Sequence, residues 1–261
     1  MNGWLIYDKI GANRNQWFIH RLIDEAKLYG TDLALRLIDE IESAPLPDFA
    51  IVRTIAPNIN QRLETQGVKT VNNYKTAKVA CDKWETYLLC KKLGLPVLET
   101  SLLEEGTGEF PQVLKARNGH GGKEVFWVEN RQQIEAKTEK EKKYILQRPS
   151  DTLGRDMRIY AIGGEIVATV LRRSDSDFRS NFSLGGKVSL AQADEMQKEI
   201  VQTLYNELKF DFVGIDFLPH KGEWVLNEIE DSAGARMLYQ CSDIDIVQPF
   251  MKHVIEKEKG R

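Results

Sequence analysis

Val213-Gly-Ile-Asp216-Phe-Leu-Pro219-His-Lys-Gly222-Glu-Trp-Val-Leu-Asn-Glu228-Ile-Glu230-Asp-Ser-Ala-Gly234-Ala-Arg236 is the stretch on which the reading of this chain turns. Two alternating apolar runs, 212–218 and 224–230, flank Pro219-His-Lys-Gly222, the pattern of a β-hairpin. Side chains on a strand alternate between faces, so Glu228 and Glu230 share one. If the turn sets Leu218 opposite Trp224, Asp216 lies on that face too, diagonal to Glu228. Three carboxylates gathered this way repel one another and lose solvation unless a cation lies between them. Hard oxygen donors suit Mg²⁺ or Mn²⁺, commonly shared with substrate phosphates. The alternative is that the acids dot the solvated face of an ordinary hairpin.

Around this stretch lie 261 residues, more than the roughly 100–200 of a typical domain, which predicts two lobes. A 42% hydrophobic, 29% charged composition is that of a soluble globular chain. A net charge of −3 exerts no global pull on nucleic acid or anionic membrane, so neither is expected as a partner. Cys81, Cys90 and Cys241 form no Cys-x-x-Cys pair, which points to a reduced, cytoplasmic setting. The histidines, His20, His120, His220 and His253, lack the spacing of a zinc site. No signal peptide and no membrane span is expected.

Upstream, apolar runs near 4–7, 31–38, 48–53 and 68–72 alternate with helical patterns over 15–28 and 58–66. That order predicts a small parallel α/β sheet over residues 1–73. In the first helix, Trp17, Phe18, Leu22 and Ala26 fit the 3.6-residue stripe. No Gly-x-Gly-x-x-Gly follows the first strand, so no dinucleotide site is expected there. A single long helix is predicted over 74–93, carrying Lys83, with Gly94 as its C-cap. A strand over 110–117 carries Lys115 and leads into Asn118-Gly119-His-Gly121-Gly122-Lys123. Glycines let backbone N–H groups approach phosphates, and a lysine just upstream adds a point charge; the same residues could also be a plain turn. The alternating charges of 130–143 read as a solvated helix, and 144–147 as a strand ending in a hinge rich in Pro, Ser and Gly. A second hairpin, 155–172, turns at Gly163-Gly164 and carries Arg158 and Arg172, with Arg173 beside them; a helix follows over 192–208 and another over 243–258.

The assembled order is helix lysine, strand lysine, glycine loop, hinge, Asp156-x-Arg158, Arg172-Arg173, then Asp177-Phe-Arg179-Ser180-Asn181 with Gly185-Gly186. It ends in Gly214-Ile-Asp216 and Glu228-Ile-Glu230-Asp-Ser-Ala-Gly234. Over residues 74–240 this resembles the ATP-grasp superfamily, and within it the RimK-like carboxylate–amine ligases. The resemblance implies an α/β (α+β) chain: a pre-ATP-grasp domain at 1–73, then an ATP-grasp domain at 74–261, with lobes of about 74–147 and 148–261. It implies ATP between the lobes, with Lys83 and Lys115 on phosphates and Gly119, Gly121 and Gly122 closing over them. Gln147, Arg148 and Pro149 would lie against adenine, and Asp156 on the ribose side. Arg179, Ser180 and Asn181 would meet the γ-phosphate, and Asp216, Glu228 and Glu230 would hold two Mg²⁺ ions, with Mn²⁺ as a substitute. Three departures stand out. Glu230 replaces the usual asparagine, Arg148-Pro149 replaces an acid and an aromatic, and Ser232-Ala-Gly234 replaces Ser-Pro-Gly.

The chemistry implied is transfer of the γ-phosphoryl group to a carboxylate, then attack of an amine on the acyl phosphate. Arg158, Arg179 and Asn181 are the expected catalytic groups, since metals and arginines stabilise developing oxyanions. Arg172, Arg173 and Arg236 are candidates for a substrate carboxylate, because a guanidinium fork matches it; surface salt bridging is the competing role. The acceptor is an amino acid, a peptide or a protein tail. Two other classes compete with the ligase: a phosphotransferase on the same fold, and a non-catalytic ATP-binding module. Carboxylates at all three metal positions and the Arg179-Ser-Asn181 run speak against the module.

Overall fold

The computed structural model describes residues 1–106, 108–180 and 186–260. Asn181 and Gly185 lie outside the described residues. The first sheet is built from β1 (Asn2–Tyr7), β2 (Asp32–Leu37), β3 (Phe49–Val52) and β4 (Lys69–Val71), all parallel, in the order β2-β1-β3-β4. β1 and β3 are near-continuous apolar runs because each is flanked by a strand on both edges and covered on both faces. Helices α1 (Lys9–Arg14), α2 (Gln16–Leu28) and α3 (Pro57–Thr65) make the connections. On α2 the buried stripe is Phe18, Ile19, Leu22 and Ala26. Trp17, expected on it, is instead 55% exposed, and Ile19 takes the core position.

The helix predicted over 74–93 is two: α4 (Tyr74–Ala80) and α5 (Lys83–Leu93). Asp82 breaks them apart. Its carboxylate caps α5 by accepting from Trp84 N at 2.9 Å, and it pairs with Arg117 at 2.6 Å. Lys83 is thereby the first residue of a helix rather than a mid-helix residue.

The second sheet is antiparallel, β5 (Thr100–Leu102), β6 (Gln112–Ala116), β7 (Val125–Val128) and β8 (Tyr144–Gln147), in the order β5-β8-β6-β7, with α6 (Arg131–Lys137) alongside. The third comprises β9 (Arg155–Ile162), β10 (Glu165–Arg173), β11 (Lys187–Leu190), β12 (Phe212–His220) and β13 (Glu223–Glu230), in the order β11-β10-β9-β12-β13. Helices α7 (Glu195–Leu208), α8 (Arg236–Cys241) and α9 (Val247–Lys259) accompany it. β5, β11 and α8 are not among the elements that the sequence predicts.

One core joins the first sheet to the third. Leu5, Phe49 and Ile51 pack with Tyr160, Val170 and Phe212 and with Phe250 and Val254 of α9. Buried Asn72 pins the end of β4 to β12: its amide donates to Phe212 O at 2.7 Å and its Oδ1 accepts from Asp211 N and Phe212 N.

Candidate active site

The decisive hairpin forms, with a tighter turn and a different register. Lys221 and Gly222 both have positive φ, 54° and 82°, so the loop is a two-residue turn between His220 and Glu223. Trp224 pairs with Pro219, and an irregularity at Asn227 then shifts the ladder by one residue. Asp216 thus lies directly opposite Glu228 rather than diagonal to it, and Glu230 lies opposite Gly214.

Neighbouring strands extend this row. Arg158 of β9 is the cross-strand partner of Asp216, and Arg172 of β10 is the partner of Asp156. Asp216 Oδ1 accepts from Arg158 Nε at 2.6 Å, and its Oδ2 accepts from Arg158 Nη2 at 2.6 Å and Arg172 Nη2 at 2.7 Å. Arg172 Nε donates to Asp156 Oδ1, and Arg158 Nη1 reaches Glu230 Oε2 at 2.7 Å. Lys83 Nζ lies 2.7 Å from Glu228 Oε1 and donates to Gly119 O at 2.5 Å. The acids that the sequence leaves to repel one another are therefore matched by the chain's own cations. Arg158, Arg172, Lys83 and Lys115 face Asp156, Asp216, Glu228 and Glu230.

Burial alone would raise the pKa of Asp216; Arg158 and Arg172 more than reverse that and hold it well below the carboxylate range. Glu228 is likewise lowered, burial being outweighed by Lys83 and Lys115. Asp156 is pushed up by burial, against the pull of Arg172 and with a further push from Asp216. Lys115 Nζ donates to Gln147 Oε1 at 2.7 Å and to Asn227 Oδ1 at 2.8 Å, and burial lowers its pKa to about 8.

Apart from Arg158, which lines a neighbouring cavity, these groups line a cleft between the second and third sheets, together with Gly119, Gly121, Gly122, Pro149, Arg179 and Ser180. Gly121 and Gly122 have φ of 66° and 73°, a left-handed backbone that favours glycine. A Cβ on Gly119 would meet Glu124 Oε2 at 2.9 Å. Arg179 ties the glycine loop down, donating from Nη1 to Gly122 O at 2.9 Å and Val125 O at 3.3 Å, while Asp177 accepts from its other nitrogens.

Two expected residues, Arg148 and Arg173, face away from the cleft, and a third, Arg236, lines a neighbouring cavity. Arg148 follows inward-facing Gln147 on the chain and its side chain, 59% exposed, turns out toward Glu99 and Glu109. Arg173 is exposed next to inward-facing Arg172. Adjacent residues of an extended chain face opposite ways, so neither pair could be used whole. Arg236 opens α8 and donates to Arg14 O at 2.5 Å, at the edge of a second cavity.

Sequence reasoning missed the apolar half of the cleft, Val113, Val125, Leu153, Phe178 and Leu218, as well as Asn227. Val113 stands two residues before Lys115, and Leu218 two after Asp216, so strand alternation could have found both.

Among the described residues no three His, Cys, Asp or Glu side chains gather into a ready metal cluster, and Asp216, Glu228 and Glu230 are each bonded to arginine or lysine. The donor chemistry nevertheless fits a hard cation: every candidate ligand is a carboxylate, and Glu228 and Glu230 both line the cleft. Nor is any helix of the described residues long and apolar enough to cross a membrane.

The RimK-like ATP-grasp domain matches residues 95–254. The chain belongs to that family. A Mycoplasma genitalium protein called "Uncharacterized protein MG011" is 30% identical, covering 98% of this chain and 93% of its own. The "Glutamate--LysW ligase ArgX" of Sulfurisphaera tokodaii is 28% identical over 84% of this chain and 88% of its own. D-alanine--D-alanine ligase from Bacillus anthracis, solved with ATP, superposes with a TM-score of 0.75 at 14% identity, covering 100% of this chain and 98% of that one. The fold is that of ATP-grasp ligases, and the class of the chain is ATP-dependent ligase forming C–N bonds. ATP use and a divalent metal belong to the family.

Proposed function

We propose that this RimK-like protein joins a carboxylate to an amine through an acyl phosphate, converting ATP to ADP and phosphate, with two Mg²⁺ ions. One observation carries the reading. The cleft between the sheets shares Gly121, Arg172 and Glu230 with a second cavity, so two binding spaces meet beside the acidic strands. A binding module needs one space; a reaction between ATP and a second molecule needs two that touch.

Lys83 and Lys115 would hold the phosphates, the 118–122 loop would close over them, and the Val113, Val125 and Leu218 side would take the base. Asp216, Glu228 and Glu230 would hold the metal, with the lysines and arginines that now neutralise them turning toward phosphate oxygens. Bound Mg²⁺ would neutralise charge on those oxygens. Arg158 and Arg179 would stabilise the oxyanion of the acyl group, with Asn181 completing the phosphate contacts. Positioning supplies the remainder of the rate. Residues 1–73 would serve as the substrate-side domain and 74–261 as the ATP-grasp domain, with its lobes meeting near 147–148. Glutamate is a reasonable amine to test first, given the name of the Sulfurisphaera relative.

The test is Mg²⁺-dependent phosphate release from ATP over a panel of amino acids, dicarboxylates and short peptides, with mass spectrometry of positive wells. An amide product establishes the ligase; a phosphorylated compound instead makes the protein a phosphotransferase.

A further inference from the structure

Buried polar atoms of folded proteins nearly always find a hydrogen-bond partner, so those that do not call for an explanation. Among the described residues lining the second cavity, three buried atoms have none: Arg53 Nε, His120 Nε2 and Ser232 Oγ. Arg53 matters most. It follows β3 directly, is 9% exposed, and lies over the rings of Phe18 and Phe212 at 5.3 and 5.5 Å. The one hydrogen bond of its side chain among the described residues runs from Nη2 to Ala233 O at 2.8 Å, and the side chain forms no ion pair with them. Buried Asp231, on the same cavity wall, attracts the guanidinium but is not bonded to it. A guanidinium taken out of water with no carboxylate bonded to its fork is costly, and that planar fork is shaped to accept one. The cavity has room, with about 820 Å³ of space, and an aromatic wall where Trp17 stacks edge-on to Tyr239.

We propose that Arg53 and Ser232 hold a carboxylate of the substrate that takes no part in bond formation, and that this contact selects the substrate. The inference rests on the ligase reading for its purpose. The reacting group must approach the nucleotide cleft, which the cavity meets at Gly121, Arg172 and Glu230. A group at Arg53 is a second anchor from another sheet. The ligand chemistry is a carboxylate set apart from the reacting centre. It belongs either to a diacid that is activated, or to an amino acid that supplies the amine.

Isothermal titration of the full chain separates these sources, using two pairs of probes that each differ by one carboxylate: glutarate against butyrate, and L-alanine against L-alaninamide. Titrations are run with and without the magnesium complex of a non-hydrolysable ATP analogue. In one pair the wild type should lose about tenfold in affinity or more with the carboxylate. Arg53→Gln should abolish that difference while binding the analogue normally. A difference in the first pair assigns the site to the acid, and in the second to the amine. If neither pair differs in the wild type, or if Arg53→Gln preserves the difference, the proposal is overturned. Arg53→Gln also removes the bond to Ala233 O, so Ser232→Ala covers a failure to fold. It should weaken the same pair about threefold or more, and an unchanged pair overturns the proposal. Failure of the analogue to bind would sink the ligase reading alone, because the titrations without nucleotide still decide the anion site.

Discussion

Asp216→Asn is the substitution that asks most of this structure. If the carboxylates of β12 and β13 repelled one another until a metal arrived, removing one charge would stabilise the metal-free protein. The geometry dictates the opposite sign. Asp216 is 3% exposed and receives two hydrogen bonds from Arg158 and one from Arg172, both of them buried. Removing one partner of a buried pair costs about 3–5 kcal/mol, chiefly because a buried charge is left uncompensated. Asparagine keeps one oxygen as an acceptor, so the lower end, about 3 kcal/mol, is expected. For a chain of this size each kcal/mol moves the melting temperature by roughly 2–4 °C, which gives a fall of about 6–12 °C.

The assay is thermal unfolding followed by circular dichroism at pH 7, without nucleotide and with a chelator present. Glu230→Gln is the internal comparison: its side chain is 27% exposed and, among the described residues, bonded to Arg158 alone, so solvent screening keeps its cost within about 1 kcal/mol. pH supplies a second check. The pKa of Asp216 is depressed in the folded state, so its stabilisation is complete above the unfolded value of about 4 and is lost as pH falls through the folded one. The gap between wild type and Asp216→Asn should therefore close in acid. A melting temperature equal to or above that of the wild type at pH 7 would refute the self-neutralised network.

Three further outcomes follow from the same geometry. Lys115→Met should weaken ATP binding about 10–100-fold by calorimetry, the worth of charge-assisted hydrogen bonds to a phosphate; unchanged affinity would remove Lys115 from the phosphate site. Arg148→Ala should leave ATP affinity within about twofold, because the side chain points away from the cleft and its surface pairs are weak; a large loss would show that it swings inward. Asp231→Asn should stabilise the protein at pH 8 and hardly at all at pH 4. Burial lifts the Asp231 carboxyl to about 7, so the folded state holds its proton longer and stability falls as pH rises from about 4 to 7; melting curves across that window decide it.

The sequence was most legible where chemistry and period coincide. Lys115, Gln147, Asp156, Asp216, Glu228 and Glu230 are polar residues set in apolar runs, and strand alternation puts each on a face. The same rule, applied one step further, would have rejected Arg148 and Arg173, each next to a residue already facing the cleft. The break between α4 and α5 was harder to see, because Asp82 caps a helix that continues the same apolar pattern and depends on Arg117, 35 positions away, to hold it. Asn227 could be suspected only from two consecutive polar residues, Asn227 and Glu228, interrupting an alternating strand. Arg53 had no local signal. Its cavity is walled by α1, α2 and the segment after β13, which are brought together by the core that joins the first and third sheets.

That shift at Asn227 ties the parts of the site together. Were the ladder to continue from Trp224 opposite Pro219 without a break, Asp216 would face Asn227, and Glu228 would sit on the other face of the sheet. The bulge returns Glu228 and Glu230 to the face that carries Asp216, Arg158 and Arg172, and it leaves Asn227 free to accept from Lys115 across the cleft. The extra residue therefore supplies the link from the third sheet to the second without displacing the row of carboxylates. Inserting one alanine between Asn227 and Glu228 would set the added residue opposite Asp216 and turn Glu228 and Glu230 to the other face. It should abolish ATP binding far more completely than Asn227→Ala, which removes only the hydrogen bond to Lys115. Equal effects of the two changes, compared by nucleotide titration, would mean that the register is not what positions these groups.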